Sequence, residues 1–339
     1  MSATTKRLVV ILGATGAQGF PTAKYLIQNS SGLFRVRAVT RDRNKRASEE
    51  LAALGAEVVE ADYDNEDPLA AALAGAHAVF FITNFWDKAS YDLEVTQGKL
   101  VNKLASQLPN LKSYIFSSLP DGRKSTDGKF QNILPYNAKA SIREDLYTYP
   151  ALAAITTEIF VAFYYQNWLK YQAVFGPLKD ENGTFVLSMP YPSSTRIPST
   201  SADDTGVVVD SILRAGPEYY GKTITLASES SPQEDMLALW ANRMVLPSPI
   251  FRKPLECLRS ADLGIKAIFK QVSAQEHQKR MSAGMPDYLA VAVTELCENL
   301  YYGEKTFGDT KDLVSARDIV PSSYKLKSWE DYVKEEDWS

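Results

Sequence analysis

Cysteine and histidine are scarce in this sequence of 339 residues, with two of each, and no long apolar run stands out. Cys257 and Cys297 with His77 and His277 are too few for a disulfide framework or a Cys/His zinc cluster, so a reduced, intracellular setting is expected. An excess of positive charge is also missing: 37 Lys and Arg against 41 Asp and Glu leave a net charge of −4, which gives no overall basic field for nucleic acid. Leu8 to Leu12 is far too short for a signal segment or a membrane span. The expectation is a protein of the cytoplasm, and of the nucleus as an option, that binds neither membrane nor nucleic acid directly. Internal repeats and low-complexity tracts are absent.

What is present is ordinary globular content, 45% hydrophobic and 23% charged, in a strongly ordered pattern. Strand-like runs at Leu8 to Leu12, Arg35 to Thr40, Glu57 to Glu60, Ala78 to Thr83, Ser113 to Ser117 and Ala153 to Ile159 alternate with helical stretches. The helical stretches are Gln18 to Gln28, Lys45 to Leu54, Pro68 to Leu73 and Leu93 to Gln107. This alternation marks βαβ units and a doubly wound parallel sheet. Beyond about Asn167 the chain turns to Pro, Ser, Tyr and Gly-rich connections with isolated helices at Asp203 to Arg214, Pro232 to Met244 and Pro286 to Tyr302. The organisation read from this is α/β: a nucleotide-binding domain over residues 1–160 and a smaller α+β lobe over 161–339, from which the chain returns to the first domain. Such a lobe would cover the carboxyl ends of the strands, where doubly wound folds bind ligands.

The first strand runs into "GATGAQG", which places Gly13, Gly16 and Gly19 between a strand and a helix. There one glycine permits the tight turn, another lets backbone amides approach a pyrophosphate, and the helix amino terminus adds partial positive charge. A plain glycine turn is the alternative, but the βαβ series favours a Rossmann-type dinucleotide site. The second strand exits into "RDRNKR", where Arg41 and, about one helical turn on, Lys45 could face the 2′-phosphate of NADP(H). The same run also reads as a solvated charge run or a nuclear-localisation patch, and Asp42 argues for NAD instead. Asp62 follows the third strand, where an adenine edge would lie, and Thr83 and Asn84 follow the fourth. Asp62 reads equally as a turn cap.

Taken together, "GATGAQG", "VTRDRNKRASEELAALGAEVVEADYDN", "GAHAVFFITNFWD", "YIFSSLPD" and "YYQNWL" resemble the NmrA-like family of atypical short-chain dehydrogenase/reductases. That family includes fungal nitrogen-repression regulators, an animal NADP(H)-sensing protein and, more distantly, isoflavone-reductase-type enzymes. The resemblance implies that Gly13, Thr15, Gly16, Ala17 and Gln18 form the phosphate loop and that Arg41 and Lys45 read the 2′-phosphate. It further implies that Thr83 and Asn84 line the cofactor, that Lys139 approaches the nicotinamide ribose, and that Tyr165 and Asn167 face the nicotinamide pocket.

Enzymes of the wider short-chain class place a tyrosine four residues before the lysine, on the same helical face, as general acid/base. In "NILPYNAKASIRED" the residue four before Lys139 is Pro135, and Tyr136 stands only three before it. Tyr136 reads as a displaced acid or as a packing aromatic, Ser117 and Ser118 as a carbonyl-orienting pair or as turn caps, and His77 and His277 as structural. The missing tyrosine leans the reading toward an NADP(H)-responsive regulator with weak or no dehydrogenase activity. An NADPH-dependent reductase of aromatic, enone or quinone-like substrates, working from Lys139 and Tyr136, is the rival. The partner is correspondingly a regulatory protein or a small molecule, with self-association as a further option.

Overall fold

The computed structural model describes residues 6–244, 265–307 and 313–338. Cys257 lies outside them. They divide into two compact units: Met1–Val161 with Ala202–Leu226 and Phe307–Lys325, and Ala162–Ser201 with Ala227–Thr306 and Leu326–Ser339.

The first unit is built on the apolar runs of the amino-terminal half. Strands β1 (Arg7–Leu12), β2 (Phe34–Thr40), β3 (Glu57–Glu60), β4 (Ala78–Ile82), β5 (Ser113–Ser118) and β6 (Thr156–Val161) occur in that chain order. Between them lie helices α1 (Gly19–Asn29), α2 (Arg46–Ala53), α3 (Glu66–Leu73), α4 (Phe85–Lys88), α5 (Tyr91–Ser106), α6 (Gly122–Ser125) and α7 (Leu134–Leu146). β1 reads as an unbroken apolar run because helices cover both faces of a parallel sheet, and Val9 to Leu12 have no solvent exposure.

Eight strands form this sheet in the order Leu313–Ser315, Thr223–Leu226, β6, β5, β4, β1, β2, β3. Every pairing is parallel. The arrangement is Rossmann-like, with two strands from later in the chain added beyond β6. Strand order reverses between β1 and β4, and in open α/β sheets the crevice at the carboxyl ends of such a pair is where ligands bind.

The second unit holds two three-stranded sheets, one of Glu229–Pro232, Arg196–Thr200 and Phe163–Tyr164, the other of Ala267–Gln271, Phe185–Met189 and Leu178–Lys179. Its core is aromatic: Trp168, Trp240, Trp329, Tyr165 and Tyr332 pack in one cluster. Helix Ala274–Ser282 starts at a capping box in which the Ser273 hydroxyl accepts from the Glu276 amide and the Glu276 carboxylate accepts from the Ser273 amide. Among the described residues no helix is long and apolar enough to cross a membrane.

Candidate functional site

The loop between β1 and α1 uses its three glycines for three different purposes. Gly13 takes left-handed backbone, with φ of 75°, which turns the chain out of the sheet. The Ala14 amide then donates to Val39 O at 3.1 Å, and the Gly16 amide donates back to Gly13 O at 3.0 Å. Gly19 is where α1 crosses the loop, since a Cβ there would lie 2.2 Å from Gly13 O and 2.7 Å from Ala14 Cα. Gly16 is different: its backbone is not left-handed, and a Cβ would approach only Gly13 O, at 3.2 Å. Among the described residues the amides of Thr15 and Ala17 donate to no other backbone group. Gln18 occupies the position before the first turn of α1 without capping it. These amides and the 11-residue helix behind them form a cradle of the kind that takes a pyrophosphate.

Beneath the loop stands Tyr63, which the motif did not single out. Its hydroxyl donates to Ile82 O at 2.9 Å, and the hydroxyl oxygen would lie 3.6 Å from a Cβ on Gly13. Burial pushes this phenol well above its ordinary pKa, so it acts as a neutral donor that ties the third-strand exit to β4.

At the exit of β2, Thr40 Oγ1 lies 3.5 Å from Thr15 Oγ1 and so joins the glycine loop to the basic run. Asp42 is occupied locally: its carboxylate accepts from the Asn44 amide at 2.9 Å, while its carbonyl accepts from the Ser48 hydroxyl at 2.9 Å. Arg41 instead reaches across to α4, where Nη1 and Nη2 donate to the two carboxylate oxygens of Asp87 at 2.5 and 2.9 Å. This pair raises the guanidinium pKa and lowers that of the carboxyl, mainly through their mutual hydrogen bonds. Lys45 is exposed at the N-cap of α2. Asp62 sits in a turn, with its carbonyl accepting from the Asn65 amide at 3.2 Å and its carboxylate 3.4 Å from the Asp64 amide.

Lys139 projects from α7, and the α5–α7 contact fixes its position. Gly98 allows that contact, because a Cβ there would stand 2.4 Å from Ile142 Cδ1. Asn102 locks the same two helices by donating to Ile142 O and Asp145 Oδ2, both at 3.0 Å, while accepting from the Tyr114 hydroxyl at 2.9 Å. Lys139 Nζ donates to the Thr83 hydroxyl and lies 3.4 Å from Glu94 Oε1 on α5. The ion pair is buried, with side-chain exposures of 11% and 2%, and Glu94 Oε2 is buried without a hydrogen-bond partner among the described residues. Asn84, exposed, begins α4 without capping it.

Tyr136 lies in the first turn of α7, one residue after the buried Pro135. Burial alone pushes its hydroxyl up to about 12, and among the described residues no cation draws it back. The acid/base tyrosine of the wider class depends on the opposite effect, a neighbouring lysine that favours the phenolate. Ser117 and Ser118 are the last residues of β5 rather than turn residues; both are buried, and the Ser118 hydroxyl has no partner among the described residues.

The remaining two expected residues belong to the second unit. Tyr165 is fully buried there, its ring centroid 5.3 Å from that of Trp329 and 5.5 Å from that of Tyr332. Asn167 is the first residue of the short helix Asn167–Lys170 and is half-buried. In the same unit His277 is buried with Nδ1 2.9 Å from the Thr294 hydroxyl, and burial pushes the Cys297 thiol up to about 12. Among the described residues no cluster of His, Cys, Asp and Glu could hold a metal ion. The structure thus gathers Gly13 to Gly19, Arg41, Lys45, Asp62, Thr83, Asn84 and Lys139 into the first unit.

A parallel sheet with a glycine cradle at its switch point defines a Rossmann-type nucleotide-binding fold. The family model of the NmrA-like family matches residues 5–301, and the chain belongs to that family. It is 29% identical over 263 residues to the NmrA-like family domain-containing oxidoreductase notA′ of Aspergillus versicolor, across 72% of this chain and 71% of that one. Its fold is similar to that of NmrA, a negative transcriptional regulator, solved in complex with NADP and with NAD. In both cases the TM-score is 0.74 at 18% identity, covering 98% of this chain and 95% of that one. The NADPH-dependent quinone oxidoreductase QOR2 of Escherichia coli, complexed with NADPH, has a TM-score of 0.67 at 18% identity, covering 96% of this chain and 98% of that one.

Proposed function

We propose that this chain binds NADP(H) in the first unit and acts as a dinucleotide-responsive regulator with weak or no dehydrogenase activity. The cradle fits a dinucleotide: Gly16 lacks a side chain that the fold itself would nearly accommodate, and among the described residues the Thr15 and Ala17 amides beside it have no backbone acceptor. Gly13 to Gly19 would hold the pyrophosphate, Arg41 and Lys45 a 2′-phosphate, and Thr83, Asn84 and Lys139 the nicotinamide half. When bound, the nicotinamide supplies or accepts hydride. The observation that carries the regulatory reading is the state of the acid/base pair. Pro135 stands where a proton donor is needed, Lys139 is committed to Thr83 and Glu94, and the Tyr136 hydroxyl is raised to about 12 with nothing opposing the shift.

A second reading, an NADPH-dependent reductase, is favoured by the oxidoreductase names of the curated relatives. One experiment separates the two. NADPH oxidation is followed against aromatic ketones, enones and quinones with wild type and Tyr136→Phe side by side. The regulator shows weak turnover indifferent to the substitution. Robust turnover that Tyr136→Phe abolishes would overturn that reading in favour of the reductase.

A further inference from the structure

The Asp87 carboxylate sits between two cations. Arg41 grips it with two N–H groups, and Lys88 Nζ lies 4.0 Å from Oδ2. An anion flanked by an arginine and a lysine at the exit of β2 is the arrangement that a ribose 2′-phosphate would need. Here the chain provides the anion from within, 46 residues away in sequence.

Resting on the dinucleotide-binding reading above, we propose that Asp87 is an internal competitor of the 2′-phosphate, so that this carboxylate sets the preference between NADP and NAD. Arg41 cannot give the same two N–H groups to Asp87 and to a phosphate. A phosphate entering beside the retained carboxylate would meet like charge, so Asp87 must yield. It is placed to do so. The pair is partly open to water, with side-chain exposures of 42% for Arg41 and 29% for Asp87, and exposed pairs hold weakly. Asp87 also rides on a helix of only four residues, which ends at Ala89 in left-handed backbone with φ of 49°. Phe85 anchors that helix in the core while Trp86, 38% exposed, lies next to Asp87 with its ring edge-on to Phe85. Yielding by Asp87 therefore changes the surroundings of Trp86. NAD, which lacks the phosphate, leaves the Arg41–Asp87 pair in place.

Calorimetric titration of wild type and Asp87→Asn with NADP and with NAD tests this. NADP must break the exposed Arg41–Asp87 pair before Arg41 can take the phosphate, so weakening that pair in Asp87→Asn should tighten NADP up to about fivefold and leave NAD within about twofold. In wild type, NADP but not NAD should shift the tryptophan emission, and Trp86→Phe should remove that shift. If Asp87→Asn binds NADP no more tightly than wild type, the carboxylate orients Arg41 rather than competing for it, and the inference is overturned while dinucleotide binding stands. Equal tightening of both nucleotides overturns it too, since the effect would not involve the 2′-phosphate. If wild type binds neither nucleotide, the dinucleotide-binding reading falls and the inference falls with it.

Discussion

Replacing Gly16 and Gly19 separately by alanine should split binding from folding, because the two glycines lack side chains for different reasons. At Gly19 the added Cβ would lie 2.2 Å from Gly13 O, 2.7 Å from Ala14 Cα and 2.8 Å from Gly13 C, all of them backbone atoms. Relief requires the loop and α1 to separate by about 1 Å, and overpacking of this kind costs about 1 to 3 kcal/mol or more. At Gly16 the only close neighbour of the Cβ is Gly13 O at 3.2 Å, and the backbone is not left-handed. That contact needs a few tenths of an ångström of give. It is offset by the smaller unfolded-state entropy of alanine, worth about 0.4 to 1 kcal/mol. Gly16→Ala should therefore melt within a degree or two of wild type, as followed by calorimetry, while Gly19→Ala melts several degrees lower. Dinucleotide affinity follows a different order. On the proposed reading, a methyl group on Gly16 would hold the phosphate away from the loop amides, and each charge-assisted hydrogen bond lost costs about 1.5 to 3 kcal/mol, or about ten- to a hundredfold in affinity. The reasoning is refuted if Gly16→Ala binds NADP as wild type does, or if it melts as low as Gly19→Ala, since Gly16 would then serve the fold.

The Glu94–Lys139 pair should behave as a buried unit. Glu94→Ala strands a lysine that is 11% exposed, and removal of one partner of a buried pair costs about 3 to 5 kcal/mol; adding Lys139→Met should restore most of the melting temperature, and failure to do so would mean that Glu94 stabilises through other contacts. His277 predicts an acid limb in the stability profile. Burial first, and Arg280 second, hold its pKa down to about 4, so the unfolded chain takes up a proton that the folded chain refuses. The stability this contributes is complete above about pH 6.5 and is lost as pH falls through about 4, an amount of about 3 kcal/mol. Urea titrations between pH 7 and 4 should show that limb in wild type and a flatter one in His277→Gln, and equal slopes would contradict it.

The sheet was legible where local signals agree. Leu8 to Leu12 is apolar throughout and ends at a glycine, and Glu57 to Glu60 is bounded by Gly55 and a polar turn, so each run announced both its type and its limits. Strands Thr223–Leu226 and Leu313–Ser315 gave no such signal. They span four and three residues and gain their place only by pairing, in parallel, with strands distant in sequence. The site divided the same way. The glycine spacing and the basic residues after β2 are adjacent in sequence and could be read as a group. Glu94 and Asp87 are acidic residues on helical segments whose partners, Lys139 and Arg41, stand 45 and 46 positions away. A usable hint was present in Gly98, since a glycine inside a helical pattern marks a close approach, and here that approach brings Glu94 to Lys139.

The difference in burial between these two ion pairs assigns them different work. Lys139 and Glu94 are shielded from water, so neither can be released without leaving an uncompensated charge in a poorly polarisable interior. Such a pair fixes an ammonium in place and makes a poor switch. Arg41 and Asp87 are hydrated on one side, so water and a competing anion can repay what either loses. An exchangeable pair can admit both of two ligands that differ by one phosphate and still differ between them, whereas a rigid pair at the same position would refuse the phosphate outright. On the proposed reading, then, the dinucleotide is held at its nicotinamide half by a lysine that stays where it is and is discriminated at its ribose phosphate by an arginine that changes partner. A regulator needs that division of labour, because only a group that changes partner between ligand states can make the protein differ between them.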